Sequence, residues 1–117
     1  MGIFTNNITP SIPADVNWNN LCWDIFSRCL WKAHYGQRWW DYSTKQHIDV
    51  MDAEEFTWNK NDLKRKLQNM KRLPKHYQKA LEETMNIIYS KYGIWTKGKV
   101  QMGKNGRIKT IYFVKFC

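Results

Sequence analysis

The first strongly periodic stretch of the chain predicts a long helix that begins at a cap residue, Asp15 or Asn17, and ends near Tyr35, before Gly36. Apolar residues recur there at the i, i+3, i+4 and i+7 spacing of one helical face: Trp18, Leu21, Cys22, Ile25, Phe26, Cys29, Leu30 and Ala33. We expect this face to supply most of the core. The opposite face carries the polar residues Asp24, Ser27, Arg28 and Lys32.

Two tryptophans, Trp23 and Trp31, fall on that polar face, where a solvent-facing tryptophan is unexpected. Either the N-terminal arm or the 37–58 region covers them, or they anchor a partner protein, because tryptophan is enriched at binding hot spots. The neighbouring pair in the RWWD stretch is a candidate for the same role. The candidate partner-binding residues are therefore Trp23, Trp31, Trp39 and Trp40.

A second helix is predicted from a cap at Asn59 or Asn61 to about Arg72, with a narrow apolar stripe of Leu63, Leu67 and Met70. Beside the stripe, polar and basic residues fill an arc of roughly 140°, at about 100° per residue. These residues are Lys60, Lys64, Arg65, Gln68, Lys71 and Arg72. Such a face suits phosphates and base edges, although an ordinary solvated helix surface has the same composition.

A third helix is predicted from Pro74 to about Tyr92, because the residue before a proline leaves the α region and Gly93 suits the closing position. Its core stripe is Tyr77, Ala80, Leu81, Thr84, Met85, Ile88 and Tyr92. Between the first two helices the pattern is weak. Residues 47–50 predict a short strand, and residues 52–58 predict a helical turn capped by Asp52.

The last quarter of the chain predicts a β-hairpin with strands 94–102 and 107–116 around a turn of Gly103, Lys104, Asn105 and Gly106. Glycine and asparagine adopt the positive φ angles that a short hairpin turn needs. We expect the turn to project and the final strand to belong to the core. Trp95 is expected in the core, and would stack on a base if exposed. Candidate phosphate contacts are Lys97, Lys99, Lys104, Arg107 and Lys109.

The predicted fold class is α+β, with three main helices and a C-terminal β-hairpin in a single domain. Residues 1–14 form an irregular arm, 15–92 are mainly helical and 93–117 are the basic hairpin. The order of elements is that of a winged helix, with the hairpin as the wing and residues 60–92 as the helix-turn-helix. This likeness is architectural and has no signature residues. Glu82 and Glu83 on the third helix argue against a conventional version.

Composition indicates a class of partner only through charge: 19 Lys and Arg against 10 Asp and Glu give +9 over 117 residues. So basic a domain suits a polyanion, which means DNA, RNA or an acidic protein face. The chain has no apolar run of about 20 residues and no signal-peptide pattern. We therefore expect a cytoplasmic protein with no membrane contact.

The sequence contains only weak signals for a metal site. Cys22, Cys29, His34 and His47 have spacings that match no common zinc pattern, so neither a metal nor a cofactor is expected. The acidic residues between positions 49 and 55, together with His47, could hold Mg²⁺ as in metal-dependent nucleases. Clustered carboxylates of this kind are more often a solvated loop.

The leading hypothesis is therefore a small, basic, non-enzymatic nucleic-acid-binding regulatory protein, of the kind that phages or mobile elements carry. The first alternative is an inhibitor or adaptor that uses its basic hairpin against an acidic or nucleic-acid-binding face of a host protein. The four tryptophans would be its anchors, and the acidic 41–58 segment would set its orientation. The second alternative is a small metal-dependent nuclease.

Overall fold

The computed structural model describes residues 16–54, 56, 58 and 60–116. The predicted α+β class, with three helices and a C-terminal antiparallel hairpin, is confirmed. Within the described residues the elements are α1 (Val16–Tyr35), β1 (Arg38–Asp41), β2 (Gln46–Asp49), α2 (Lys60–Leu67), α3 (Lys75–Tyr92), β3 (Trp95–Met102) and β4 (Ile108–Phe116).

The core lies between α1, α3 and the β3–β4 hairpin, while α2 packs against α1 and β4. Most of the predicted apolar face of α1 is buried; Leu21 is half-buried and Ala33 is exposed. The predicted stripe of α3 is also buried, except that Met85 and Tyr92 are half-buried. Gly93 closes α3 at a φ of 70°, as predicted, and its N–H donates to the carbonyl of Tyr89.

The prediction that Ser27 and Arg28 face solvent is wrong, because the segment after β2 covers that side of α1. Arg28 Nη1 donates to the carbonyls of Val50, at 2.9 Å, and Ala53, at 2.6 Å. Its Nε pairs with Asp24 at 2.8 Å. The buried guanidinium thus connects the middle segment to the first helix through its Nε and Nη1 donors.

The cap and end positions of the helices differ in part from the prediction. Asn17 and Asn61 lie inside helices rather than at their caps, and Asp15 and Asn59 fall outside the described residues. The second helix ends at Leu67, five residues before the predicted Arg72. Backbone bonds from residues 68–70 to carbonyls three positions earlier then form a tight turn.

The region between α1 and α2 begins with a two-stranded hairpin, β1–β2, paired from Arg38↔Asp49 to Asp41↔Gln46. The predicted strand at 47–50 corresponds to β2, whereas β1 was not predicted. Lys45, in the intervening turn, has a φ of 56°. The helical turn predicted for residues 52–58 is wrong, because positions 52–54, 56 and 58 lie in turns and irregular backbone.

A bulge in the C-terminal hairpin decides which side chains of β4 are buried. Gln101 pairs with Thr110 but Met102 pairs with Ile108, so Lys109 is an extra residue on β4. Ile108 therefore shares the buried face with Ile111 and Phe113, which strict alternation from Ile108 would not allow. The prediction that the final strand belongs to the core is confirmed.

The turn of this hairpin uses its residues differently from the prediction. In residues 103–106 only Gly106 has a positive φ, of 78°. Asn105 instead accepts the N–H of Arg107 through its side chain, at 3.0 Å, and Gly103 N–H donates to the carbonyl of Arg107 at 2.7 Å.

The hairpin does not stand free as a wing. Along the outer edge of β4, Trp23 Nε1 donates to the carbonyl of Ile111 at 3.1 Å, and Asn19 Oδ1 accepts the N–H of Phe113 at 3.1 Å. The β1–β2 hairpin forms a separate sheet. The winged-helix arrangement is therefore not confirmed.

Candidate nucleic-acid interface

The turn after α2 and the tip of the C-terminal hairpin form one surface. Ile108 N–H donates to the carbonyl of Met70 at 2.8 Å, and Gln68 Nε2 contacts the carbonyl of Lys109 at 3.4 Å. Exposed polar and basic side chains flank these two bonds along both segments of the chain. We call them the tip surface: Gln68, Lys71, Arg72, Lys104, Arg107 and Lys109.

A shallow cleft of about 400 Å³ lies within the tip surface, lined by Gln68, Lys104 and Lys109 together with residues of the hairpin turn. The structure therefore brings together residues that lie about 35 positions apart in the chain and that the sequence placed on two different elements. The end of α2 at Leu67 is what allows this, because a continued helix would carry Lys71 and Arg72 along its own axis.

The cations of the tip surface are free of carboxylate partners within the described residues, whereas four cations elsewhere, Arg28 among them, have such partners. Lys60 pairs with Asp24 at 3.0 Å, Lys32 pairs with Glu83, and Arg65 pairs with Asp62. Because the acidic side chains are used elsewhere, the positive charge of the tip surface remains available to an external anion.

The predicted basic arc of the second helix does not exist as one face. Only Lys60, Lys64 and Arg65 of its members lie on α2. Two of these are ion-paired, and Lys64 Nζ lies 5.0 Å from the ring centroid of Trp23 in a cation–π contact. These three residues are therefore largely occupied by contacts within the protein.

Strand β3 adds a second row of exposed residues, on the face of the strand opposite to its buried side chain. Trp95, Lys97 and Lys99 point to this side, while Thr96 is buried. The prediction that Trp95 belongs to the core is wrong, because Trp18 occupies the position above Thr96 and its Nε1 lies 3.3 Å from Thr96 Oγ1. Lys97 pairs across the hairpin with Val114, and Lys99 pairs with the exposed Tyr112. We call this row the outer face.

Trp95 stacks on Tyr89, a residue that sequence reasoning missed. The two ring centroids are 4.1 Å apart with the planes at 19°. Tyr89 lies outside the core stripe predicted for α3, so its position on the helical wheel was the available signal for an exposed aromatic residue.

The four candidate partner-binding tryptophans do not form one surface. Trp23 is 2% exposed and belongs to the core, so its assignment as a partner-binding residue is wrong. Trp31 is half-buried under Trp39, Phe56 and Trp58, so the 37–58 region covers it as the first alternative expected. Trp40 is exposed.

Trp40 lies in a small exposed aromatic group on the β1–β2 hairpin. Its ring centroid is 5.0 Å from that of His47 and 6.3 Å from that of Tyr42, which is 79% exposed. Tyr42 was missed because its position in a turn carries no periodic signal. This group lies on a different hairpin from the outer face.

Two acidic residues of the middle segment, Asp41 and Asp49, form hydrogen bonds with residues in or next to the β1–β2 hairpin. Asp49 accepts the N–H of Met51 and the Nε2 of Gln37, and these bonds lower the pKa of its carboxyl group. No group of three or more His, Cys, Asp or Glu close enough to hold a metal ion occurs in the part of the chain that the structure describes. Glu55 lies outside that part.

The two cysteines of α1 are buried free thiols. Burial raises the pKa of both Cys22 and Cys29 to about 12, so the reactive thiolate is scarce at neutral pH. Their side chains act as small core residues.

Comparisons of the chain with protein-family models, with curated proteins and with solved structures found no match. Among the helices of the described residues, none combines the length and the apolar composition needed to cross a bilayer.

Proposed function

We propose that this protein is a non-enzymatic nucleic-acid-binding protein with a regulatory role, and that it contacts phosphates through the tip surface. The observation that carries the proposal is the joining of two basic segments by the Met70–Ile108 backbone bond, with no carboxylate partner for their cations among the described residues.

The tip surface has the chemistry that phosphate binding requires. Lys104 and Lys109 line a cleft that also offers the side-chain amides of Gln68 and Asn105, and the three other exposed cations of the tip surface lie on the same two segments of the chain. Lysine and arginine supply the electrostatic attraction, and amide groups donate to phosphate oxygens or meet base edges. The Lys97 and Lys99 side chains of the outer face extend the same positive field along the hairpin.

Charge reversal at the tip surface tests the proposal. Lys104→Glu combined with Arg107→Glu changes two exposed side chains of a projecting turn, so the fold should survive. We expect binding to labelled DNA or RNA of mixed sequence, measured by fluorescence anisotropy, to weaken at least about 100-fold, because two charge-assisted contacts are lost and repulsion replaces them.

The matched control is Lys79→Glu combined with Lys91→Glu. Both lysines are exposed on α3, and the change in net charge is the same. If the two double variants lose the same affinity, total charge rather than the tip surface drives binding. Absence of binding by the wild-type protein to duplex and single-stranded DNA and RNA would refute the proposal.

A second candidate function is recognition of a host protein through the β1–β2 hairpin. The observation that favours it is the exposed group of Trp40, Tyr42 and His47, since aromatic side chains dominate binding hot spots. A partner captured by this surface should resist nuclease treatment and should be lost with Trp40→Ala. A partner that nuclease releases would instead support the nucleic-acid proposal.

A further inference from the structure

The outer face ends in an aromatic pair that is held in place and still open to solvent. Trp95 is 54% exposed and Tyr89 is 43% exposed, although their rings stack closely. The stack fixes the orientation of the indole against α3 and leaves more than half of it accessible. A large flat side chain held in this way is preorganised for a planar ligand.

The residues around Trp95 suit an anionic ligand. Lys97 and Lys99 follow it on the same face of β3, at spacings of about 7 Å along an extended strand. Neither lysine forms an ion pair with any described residue. Beside Trp95, a groove of about 500 Å³ between α3 and β3 is lined by Met85, Asn86 and Lys97, with Glu82 as the one carboxylate.

The groove offers contacts to a base as well as to its backbone. Its apolar lining matches the faces of a base, and the Asn86 amide can both donate to and accept from a base edge. The Glu82 carboxylate would repel a phosphate, but it can accept from an exocyclic amine such as that of cytosine. Phosphates are then expected over the lysines and not over the groove.

Strand β3 connects the outer face directly to the tip surface. Strand β3 runs from Trp95 to Met102, a distance of about 24 Å at the usual rise per residue, and the turn with Lys104 follows. One extended strand of nucleic acid could therefore contact both surfaces.

Building on the proposed function, we infer that the bound form is single-stranded nucleic acid. An unpaired base stacks on Trp95, and the backbone then follows Lys97 and Lys99 toward the tip surface. A duplex cannot use Trp95 in this way, because its bases are already paired and stacked on each other. Positive charge beside the aromatic pair favours this occupant over an apolar protein segment.

The test compares the affinities of three probes by fluorescence anisotropy at one salt concentration. The probes are oligothymidylate of about 12 nucleotides, its duplex with oligoadenylate, and single-stranded oligouridylate of equal length. We expect tighter binding of the single strands. Trp95→Ala should weaken single-strand binding by about 5-fold to about 100-fold, the range for loss of one base–aromatic stack, and should change duplex binding less than about 2-fold. The affinity of Trp95→Phe for single strands should lie between those of the wild-type protein and Trp95→Ala.

Trp40→Ala is the control, because it removes an exposed tryptophan from the other hairpin and should leave single-strand binding unchanged. Thermal unfolding of each variant checks that the fold is intact, and Trp95→Phe serves if Trp95→Ala unfolds. Duplex binding that depends on the tip surface, with no effect of Trp95 variants on single strands, would overturn this inference alone. No binding to any of the probes would overturn the proposed function as well.

Discussion

At the scale of single residues, Trp23 and Trp40 show what a helical wheel cannot reveal. Trp23 lies on the polar side of the wheel of α1, but three other elements pack around this helix, so that side is also enclosed. The periodicity of one helix describes its own two faces and does not show which elements surround it. Trp40 was correctly grouped as a surface candidate, and Trp23 was not.

We predict that Trp23→Ala destabilises the protein by about 3–5 kcal/mol, the usual cost of removing a large buried aromatic residue. The change also leaves the carbonyl of Ile111 without its indole donor. Trp40→Ala should cost less than about 1 kcal/mol, because its side chain is exposed. Urea denaturation followed by circular dichroism measures both values, and similar losses for the two variants would contradict the burial of Trp23.

The contact that Lys64 makes in the structure also changes which charge-reversal variants are informative. The predicted basic arc of the second helix would suggest Lys64→Glu with Lys71→Glu as a test of binding, because the arc places both side chains away from the apolar stripe. Lys64 instead lies over the ring of Trp23, where a carboxylate would face the negative π surface. Loss of binding by that pair would therefore mix a folding effect with a binding effect.

At the scale of elements, the sequence predicted α3 and the C-terminal hairpin well because their signals are local. Pro74 and Gly93 bound the helix, and a glycine-rich turn separates two β-prone runs. The early end of α2 and strand β1 could not be predicted in this way. The first depends on the tertiary bond between Met70 and Ile108, and the second depends on packing of Trp39 against Trp31.

Close packing between α3 and the C-terminal hairpin predicts a cost for a side chain at Gly98. An added Cβ would lie 2.8 Å from Leu81 Cδ2 and 3.2 Å from Phe113 Cε1. We expect Gly98→Ala to destabilise the protein by about 1–3 kcal/mol through overpacking. In a Leu81→Ala background the same change should cost less, because the nearest clash is gone. Equal costs in the two backgrounds would show that Leu81 is not the obstacle.

The β1–β2 hairpin should weaken in acid. Bonds from Met51 and Gln37 lower the folded-state pKa of Asp49, so its contribution to stability is complete above the unfolded pKa of about 3.9 and is lost as pH falls through the folded value. The amide resonance of Met51 should report this loss below about pH 4. Asp49→Asn should remove the transition, and a Met51 resonance that titrates identically in Asp49→Asn would contradict the assignment.

At the scale of the whole molecule, the distribution of charge supports the proposed function more strongly than its total. The net charge of +9 was visible in the sequence. Which cations remain free was not, because ion pairs such as Lys60–Asp24 and Lys32–Glu83 join distant parts of the chain. The class of partner stays a prediction from the sequence, whereas the fold was needed to group the tip surface and to show that Trp95 is exposed.

Binding of nucleic-acid phosphates by the cations of the tip surface is the central claim, and the salt dependence of binding tests it most directly. Anisotropy titrations from about 50 to about 200 mM salt, with the oligonucleotide form that binds more tightly, give the slope of log affinity against log salt. Engagement of about six phosphates predicts an affinity loss of roughly 10³-fold over this range. Lys104→Gln with Arg107→Gln should make the slope shallower by about 1.4 to 1.8, whereas Lys79→Gln with Lys91→Gln should not change it. An affinity that stays constant across this range of salt, or a slope that both double variants change equally, would contradict the account.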